Sequence, residues 1–365
     1  MNFDYDADQR ALADTVQRFV SRDYGFERRR AIRESETGWS REVWQALADL
    51  GVLAINIDED LGGLGYGPQE TGLVMGAFGP GLLLEPYLAG AVVAPALIRR
   101  AAGADFQEEW LPNIASGETI VVLADADARD APVTEIGGIL SGCKAVVAHG
   151  GCADLLLVSA RCADGSRGLF AVTPGGDGVS LRDYPTLDGQ RAADLALDGA
   201  PAMRLDAGGA SDAIDDALDI GLAAVCAEAV GIMEATVAAT TEYLKTRQQF
   251  GQPIGRFQAL QHRMADMLLH LEQARSMSYL AAMHCTGNDV AARRRTLSAV
   301  KVTVGQACRF IAQNAVQLHG GMGMTDELVL SHWFKRLTAI EMSFGDTDFH
   351  LQRFAAELAR EARAA

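Results

Sequence analysis

The stretch Glu341 to Phe354, EMSFGDTDFHLQRF, places two carboxylates, Asp346 and Asp348, beside a glycine at what reads as a helix start. Two chemistries suit them. A carboxylate at a loop tip can serve as a general base. The same group can cap the free N–H groups of a first helical turn, where negative charge matches the positive end of the dipole. Asp348, nearer the helix, is the favoured cap, while Asp346 reads either as a base or as a cap or interface group. A second set of polar residues lies in EYLKTRQQFGQPIGRFQALQHRMADM, Glu242 to Met267, and in QLHGGMGMTDE, Gln317 to Glu327. The Arg247 guanidinium is a bidentate donor suited to a pyrophosphate, and Gly320 and Gly321 let a backbone approach a dinucleotide closely. Spacing alone favours reading Arg247 as a solvated ion pair at a helix end. His319 reads as structural, His262 and His350 as helix-surface or interface residues, and Met322 and Met324 as packing. Glu228, between alanines, reads as a buried or interface carboxylate.

These residues need elements to hold them. Leu12, Val16, Phe19 and Val20 recur at helical spacing, and Ser40 caps a second helix in which Val43 faces Leu47 before Gly51 stops it. The glycine-rich run DEDLGGLGYGP, Asp58 to Pro68, has no preceding strand and no GK[ST] ending, so it reads as a turn rather than a phosphate cradle. From Gly117 the texture changes to short apolar runs broken by Gly, Asp and Pro, as in a small antiparallel sheet or barrel. After DAGGASDA, helical periodicity returns over 213–248, 256–286, 288–318 and 346–364, long enough for a bundle. The expected divisions are 1–116 helical, 117–205 β and 210–365 helical bundle.

Composition narrows the function classes. A chain of 365 residues with 49% hydrophobic and 22% charged content is long and apolar enough for a multi-domain globular protein. A formal charge of -16 argues against general binding to nucleic acid, whose phosphates need Lys and Arg to neutralise them. The six cysteines form no CxxC pair and no zinc-like spacing with His, so no metal site is expected. The start MNFDYDADQR has no signal-peptide pattern, and no uncharged run reaches about 18 residues, so a cytoplasmic protein with no membrane contact is expected.

Taken in order, the Glu242–Met267 run, the Gln317–Gly321 turn and the Glu341–Phe354 loop resemble the acyl-CoA dehydrogenase family. Weaker agreement, including VWQALADLGVLAINIDEDLGGLG and SGCKAVVAHGGCADLLLVSAR, runs along nearly the whole chain. The resemblance implies a mainly α fold with a central β domain: an N-terminal helical domain, a small barrel or sheet and a C-terminal four-helix bundle. It implies FAD held between subunits, with Arg247, Phe250, Gln258, Gln317, Leu318, His319, Gly320 and Gly321 contacting the adenosine-diphosphate half carried by a neighbouring chain. Thr347 keeps the threonine of the family's aromatic-Glu-Gly-Thr loop and is carried over as a cofactor contact. The implied partners are an acyl-CoA substrate and an electron acceptor such as an electron-transfer flavoprotein.

The pattern breaks where the base should be. Phe344 matches the aromatic, so the glutamate position falls on Gly345 and the glycine position on Asp346. The family's alternative base position, ten residues before Gly231, is Gly221, and its usual arginine neighbour is Leu222. In the β segment, ADADARDAP replaces Thr-Glu-Pro, and Val146, Val147 and Ala148 stand where hydroxyls near the flavin are usual. The chain thus resembles the small or companion subunits of mixed-subunit dehydrogenases of the pimeloyl-CoA and steroid-side-chain types. The expected activity is α,β-desaturation of a bulky or dicarboxylic acyl-CoA in an α2β2 assembly with a Glu-bearing partner. The alternatives are a homo-oligomer that uses Asp346 as base and a structural subunit that only completes the partner's FAD site.

Overall fold

The first helix begins at an aspartate: the Gln9 N–H donates to Asp6 Oδ1 (2.8 Å) while Gln9 Oε1 accepts from the Asp6 N–H (3.2 Å), a reciprocal cap. A computed structural model describes residues 6 to 364. In chain order the helices are α1 (Ala7–Arg22), α2 (Phe26–Arg33), α3 (Arg41–Asp49), α4 (Pro68–Phe78), α5 (Ala94–Ala101) and α6 (Ala104–Ala115). The strands are β1 (Val121–Ala124), β2 (Thr134–Ile136), β3 (Ile139–Ala148), β4 (Leu155–Arg161), β5 (Arg167–Val172), β6 (Val179–Pro185), β7 (Arg191–Pro201) and β8 (Met203–Arg204). Then follow α7 (Ser211–Thr246), a hairpin of β9 (Gln248–Gln249) and β10 (Gln252–Pro253), α8 (Gln258–His284), α9 (Val290–His319), α10 (Val329–Met342) and α11 (Thr347–Ala364). The fold is mainly α with a central sheet.

Two compact units divide the chain: residues up to 29, 68–83 and from 222 onward form one, and 30–67 with 84–221 form the other. The sequence-contiguous boundaries at 117–205 and 210 mark where helix gives way to strand and back; spatial grouping follows a different partition.

In the sheet-bearing unit, Ser40 caps α3 by accepting from the Val43 N–H (3.2 Å), and the chain turns after it at Gly51, whose φ of 75° is left-handed. Val43, Trp44 and Leu47 are buried, and the Trp44 indole N–H donates to Gly117 O (3.1 Å). The sheet runs β6-β7-β3-β2-β4-β5-β8, with β1 added beside β4. The expected antiparallel pairing holds except at β4, where β1 and β2 pair in parallel because each reaches it after an excursion rather than a hairpin. In the glycine-rich run, the N–H groups of Gly63, Leu64, Gly65 and Tyr66 donate to Asp58, Ala54, Ile57 and Ile55 carbonyls at 2.8–3.0 Å. Those donors are spent on the chain itself, so the run is a fold-back turn with no phosphate cradle.

In the other unit, α8, α10 and α11 pack on α9. Helix α10 is absent from the sequence expectations, although Leu330, Trp333, Leu337 and Ile340 are buried at i, i+3, i+7 and i+10. It is a fifth C-terminal helix, short and set between two loops. Helix α7 is long and apolar enough to cross a membrane, yet 78% of its apolar window is buried in the protein, as in a core helix.

Candidate active site

The loop between α10 and α11 is built on left-handed backbone, with Phe344 at φ 56° and Gly345 at φ 94°. Each neighbouring group fastens it. The Lys301 ammonium, fully buried on α9, donates to the carbonyls of Glu341 (2.8 Å) and Gly345 (2.9 Å). Burial lowers the Lys301 pKa, and nearby thiols and carboxylates oppose that shift. The Thr347 hydroxyl donates to Glu341 Oε1 (2.8 Å), and Arg309 reaches the same carboxylate oxygen at 3.3 Å.

His350 is fully buried, contrary to the surface or interface position expected of it, because its ring closes the loop from beneath. Its Nε2–H donates to Phe344 O (2.9 Å), and Nδ1 lies 3.3 Å from the Ser298 hydroxyl. Burial holds its pKa down at about 4, so the ring is neutral in this tautomer at neutral pH. Lys301 carries no motif; its one signal in the sequence is a lysine in phase with Leu297, Val304 and Cys308 on the buried face of α9.

Asp346, not Asp348, caps α11: its Oδ1 accepts from the Phe349 N–H at 2.8 Å and its carbonyl accepts from the His350 N–H at 3.1 Å. The expectation placed the cap two residues late because the helix starts at Thr347, which puts Asp348 inside the first turn. The base position is closed as well. A Cβ on Gly345 would meet Phe349 Cδ1 at 2.4 Å and His350 Nε2 at 3.0 Å, in a backbone conformation that side chains rarely adopt. At the alternative position, Gly221 and Leu222 are buried and carry no proton acceptor. Glu228 is buried with both oxygens bound by Arg336, at 2.6 and 2.7 Å.

The second set of residues gathers elsewhere. Helix α7 ends in the β9–β10 hairpin, whose two turn residues Phe250 (φ 52°) and Gly251 (φ 77°) both have positive φ, the geometry that matches strand twist. Phe250 is 89% exposed and touches Phe257 edge-on. Tyr243 stacks on His319 with ring centroids 4.3 Å apart, which brings the end of α7 beside the Gln317–Gly321 turn. Leu318 and His319 are buried, and His319 Nδ1 donates to Ala315 O (2.9 Å) with its pKa lowered by burial. Gln317, Gly320 and Gly321 are exposed. Thr347 does not join this group: it lies against Gly305, and Gln317 is twelve residues further along the same helix, roughly 18 Å at 1.5 Å per residue.

The implied flavin fits one part of the chain and not another. Arg247, Gln258 and Gln317 are exposed and their side chains make no hydrogen bond among the described residues, while a Cβ at Gly320 or Gly321 would meet nothing within 4 Å. Free donors beside open backbone suit a diphosphate brought by another molecule. On the sheet, Val146 is 63% exposed at φ 54°, beside a register shift between Lys144 and Val147. The buried Lys144 ammonium spends its protons on Asp125 O (2.8 Å), Asp127 Oδ1 (2.6 Å) and Ser159 Oγ (3.0 Å), and Asp125 Oδ1 is taken by Ser159 and Arg167. Val146, Val147 and Ala148 offer no side-chain donor to a flavin ring, so these residues do not fit it. Among the described residues no group of three or more His, Cys, Asp or Glu side chains could hold a metal ion.

Comparison with known proteins agrees with this geometry. The acyl-CoA dehydrogenase N-terminal domain profile matches residues 6–118, and the C-terminal domain profile matches residues 209–359. The chain is 30% identical over 347 residues to acyl-CoA dehydrogenase FadE27 of Mycobacterium tuberculosis, covering 91% of this chain and 92% of that protein. It is 28% identical to FadE28 of the same organism, over 98% of both chains. Among solved structures, the ChsE4-ChsE5 complex from Mycobacterium tuberculosis superposes with a TM-score of 0.89 at 27% identity, over 98% of this chain and 99% of that one. A variant of the Tcur3481-Tcur3483 steroid ACAD gives the same figures. With both domain profiles matched in order and a relative at this identity along nearly its full length, the chain belongs to the acyl-CoA dehydrogenase family of FAD-dependent oxidoreductases acting on CH–CH bonds.

Proposed function

We propose that this chain is the companion subunit of a mixed α2β2 acyl-CoA dehydrogenase. In this reading it completes the cofactor site of a partner that carries the catalytic glutamate, and the assembly desaturates a bulky or dicarboxylic acyl-CoA at its α,β-carbons. The observation that carries this reading is the closed base position: Gly345 has positive φ, no room for a Cβ and a carbonyl held by Lys301, while Asp346 is committed to the cap of α11. Removing an α-proton needs a positioned base, and neither family position supplies one here. When bound, FAD supplies the two-electron acceptor for the Cα–Cβ oxidation. This chain's part is to present Arg247, Gln258 and the Gln317–Gly321 turn to the diphosphate and to hold the α10–α11 loop shut through Lys301 and His350. The likeness to the ChsE4-ChsE5 complex and to the steroid ACAD supports a paired assembly and a bulky substrate. A cytoplasmic location and an electron-transfer flavoprotein as acceptor complete the proposal.

The test is purification of the chain alone and together with a Glu-bearing homologue, with mass, FAD per chain and turnover measured on each. The expected result is an active, fully flavinated species only in the mixed preparation. A homotetramer with one FAD per chain and full turnover overturns the proposal. In the mixed enzyme, Asp346→Asn should keep turnover and the cap, since Asn caps as well as Asp, while Asp346→Ala should cost about 1 kcal/mol of stability with turnover kept; a base at Asp346 would instead lose about 10²- to 10⁴-fold in either variant.

A further inference from the structure

Helices α1, α4, α7 and α8 line a half-open cavity of about 410 Å³ that no step above uses. Its floor exists because side chains are missing there: Gly72 and Gly76 on α4 face Ala223, Ala227 and Gly231 on α7. The helices meet backbone to backbone at its edge, since a Cβ on Gly231 would lie 2.0 Å from Gly76 O. Leu73, Val230, Tyr279 and Met283 add apolar walls, and Gln9, Gln17 and Gln69 on α1 and α4 add polar ones.

The cavity is not on the side of α7 that the family's alternative base position would face. At 100° per residue, Ala223, Ala227, Val230 and Glu234 project roughly 180° to 240° away from Gly221. It is a separate place on the molecule.

Two features define the chemistry it would take. Ser278 lines the cavity, is 8% exposed and makes no hydrogen bond among the described residues. Its helix neighbour Ser276 bonds back to Glu272 O (2.9 Å), as helical serines commonly do, so Ser278 keeps its hydroxyl for something else. At the mouth, Arg275 is shared between Glu234, at 2.8 and 3.0 Å, and Glu272, leaving one positive charge against two negative ones. That mouth repels an anion. A cavity of this size and lining accepts a small molecule. We infer that this cavity binds a neutral, largely apolar molecule carrying one ketone or hydroxyl oxygen, which accepts a hydrogen bond from Ser278, and that it discriminates against carboxylates.

The probe is 2-decalone, a neutral bicyclic ketone, titrated calorimetrically into the purified full chain beside decahydro-2-naphthoate, which has the same rings and a carboxylate. The expected result is saturable binding of the ketone at one site per chain, with the carboxylate at least tenfold weaker. Ser278→Ala should weaken the ketone about two- to twelvefold, the range of one hydrogen bond. Ala227→Leu should abolish binding by filling the floor, and Ala13→Leu on α1 does the same job should the first variant not fold. Absence of saturable ketone binding at millimolar concentration, equal or tighter binding of the carboxylate, or binding that survives the filling of the cavity overturns the inference.

Discussion

Arg247 illustrates how one residue is read twice. By spacing it is a solvated helix-end charge and by the family motifs a cofactor ligand; in the fold it is exposed, makes no side-chain bond among the described residues and stands at the hairpin that follows α7. A guanidinium that does nothing for its own chain is free to serve another molecule. Arg247→Ala should therefore leave the apo protein's melting temperature where it is and weaken FAD binding in the mixed assembly by roughly tenfold to a hundredfold, the value of a charge-assisted hydrogen bond. Flavin titration of wild type and variant decides it; equal affinities would take Arg247 out of the site. Asp346 is the opposite case. Its side chain is spent within the chain, and its neighbour Gly345 has no space for a Cβ.

Among elements, the contact between α4 and α7 is the one that most depends on a single residue type. Alanine at position 231 would gain about 1 kcal/mol of helix propensity over glycine. Its Cβ would also sit 2.0 Å from Gly76 O, an atom of a backbone that cannot swing aside as a side-chain tip can. Overpacking of this kind costs typically 1–3 kcal/mol or more, so packing outweighs propensity. Gly231→Ala should lower the urea midpoint without changing the slope of the transition. A raised midpoint for Gly231→Ala would show that the helices separate at little cost.

For the whole molecule, buried His350 couples stability to pH. Its folded pKa is held down at about 4 by burial, against about 6.5 when unfolded. Above pH 6.5 both states are neutral and its contribution is fully present. As pH falls from 6.5 towards 4 the unfolded chain takes up a proton that the folded chain refuses, so stability declines by up to about 1.4 kcal/mol per pH unit. Between pH 7 and 5, above the range where most carboxylates titrate, urea midpoints of the wild type should fall, and those of His350→Gln should fall measurably less. Parallel pH profiles would mean that the ring is not held neutral in the folded state.

The sequence by itself determined the helical and strand-rich stretches, the family and the glycines at both positions where the family keeps its glutamate, because these are written in local periodicity and in short motifs whose residues are adjacent. Ser40 as a cap and Gly51 as a stop are local events of the same kind. Tertiary structure alone decided what depends on residues far apart in the chain. That His350 is core rather than surface follows from Phe344 and Ser298 closing around it; that Asp346 is the cap follows from where α11 starts; that Lys301 matters follows from a loop forty residues on bending back to it. The division of the candidate cofactor residues into a free set near Arg247 and a loop some 18 Å distant along α9 is likewise a matter of helix length, which no motif records.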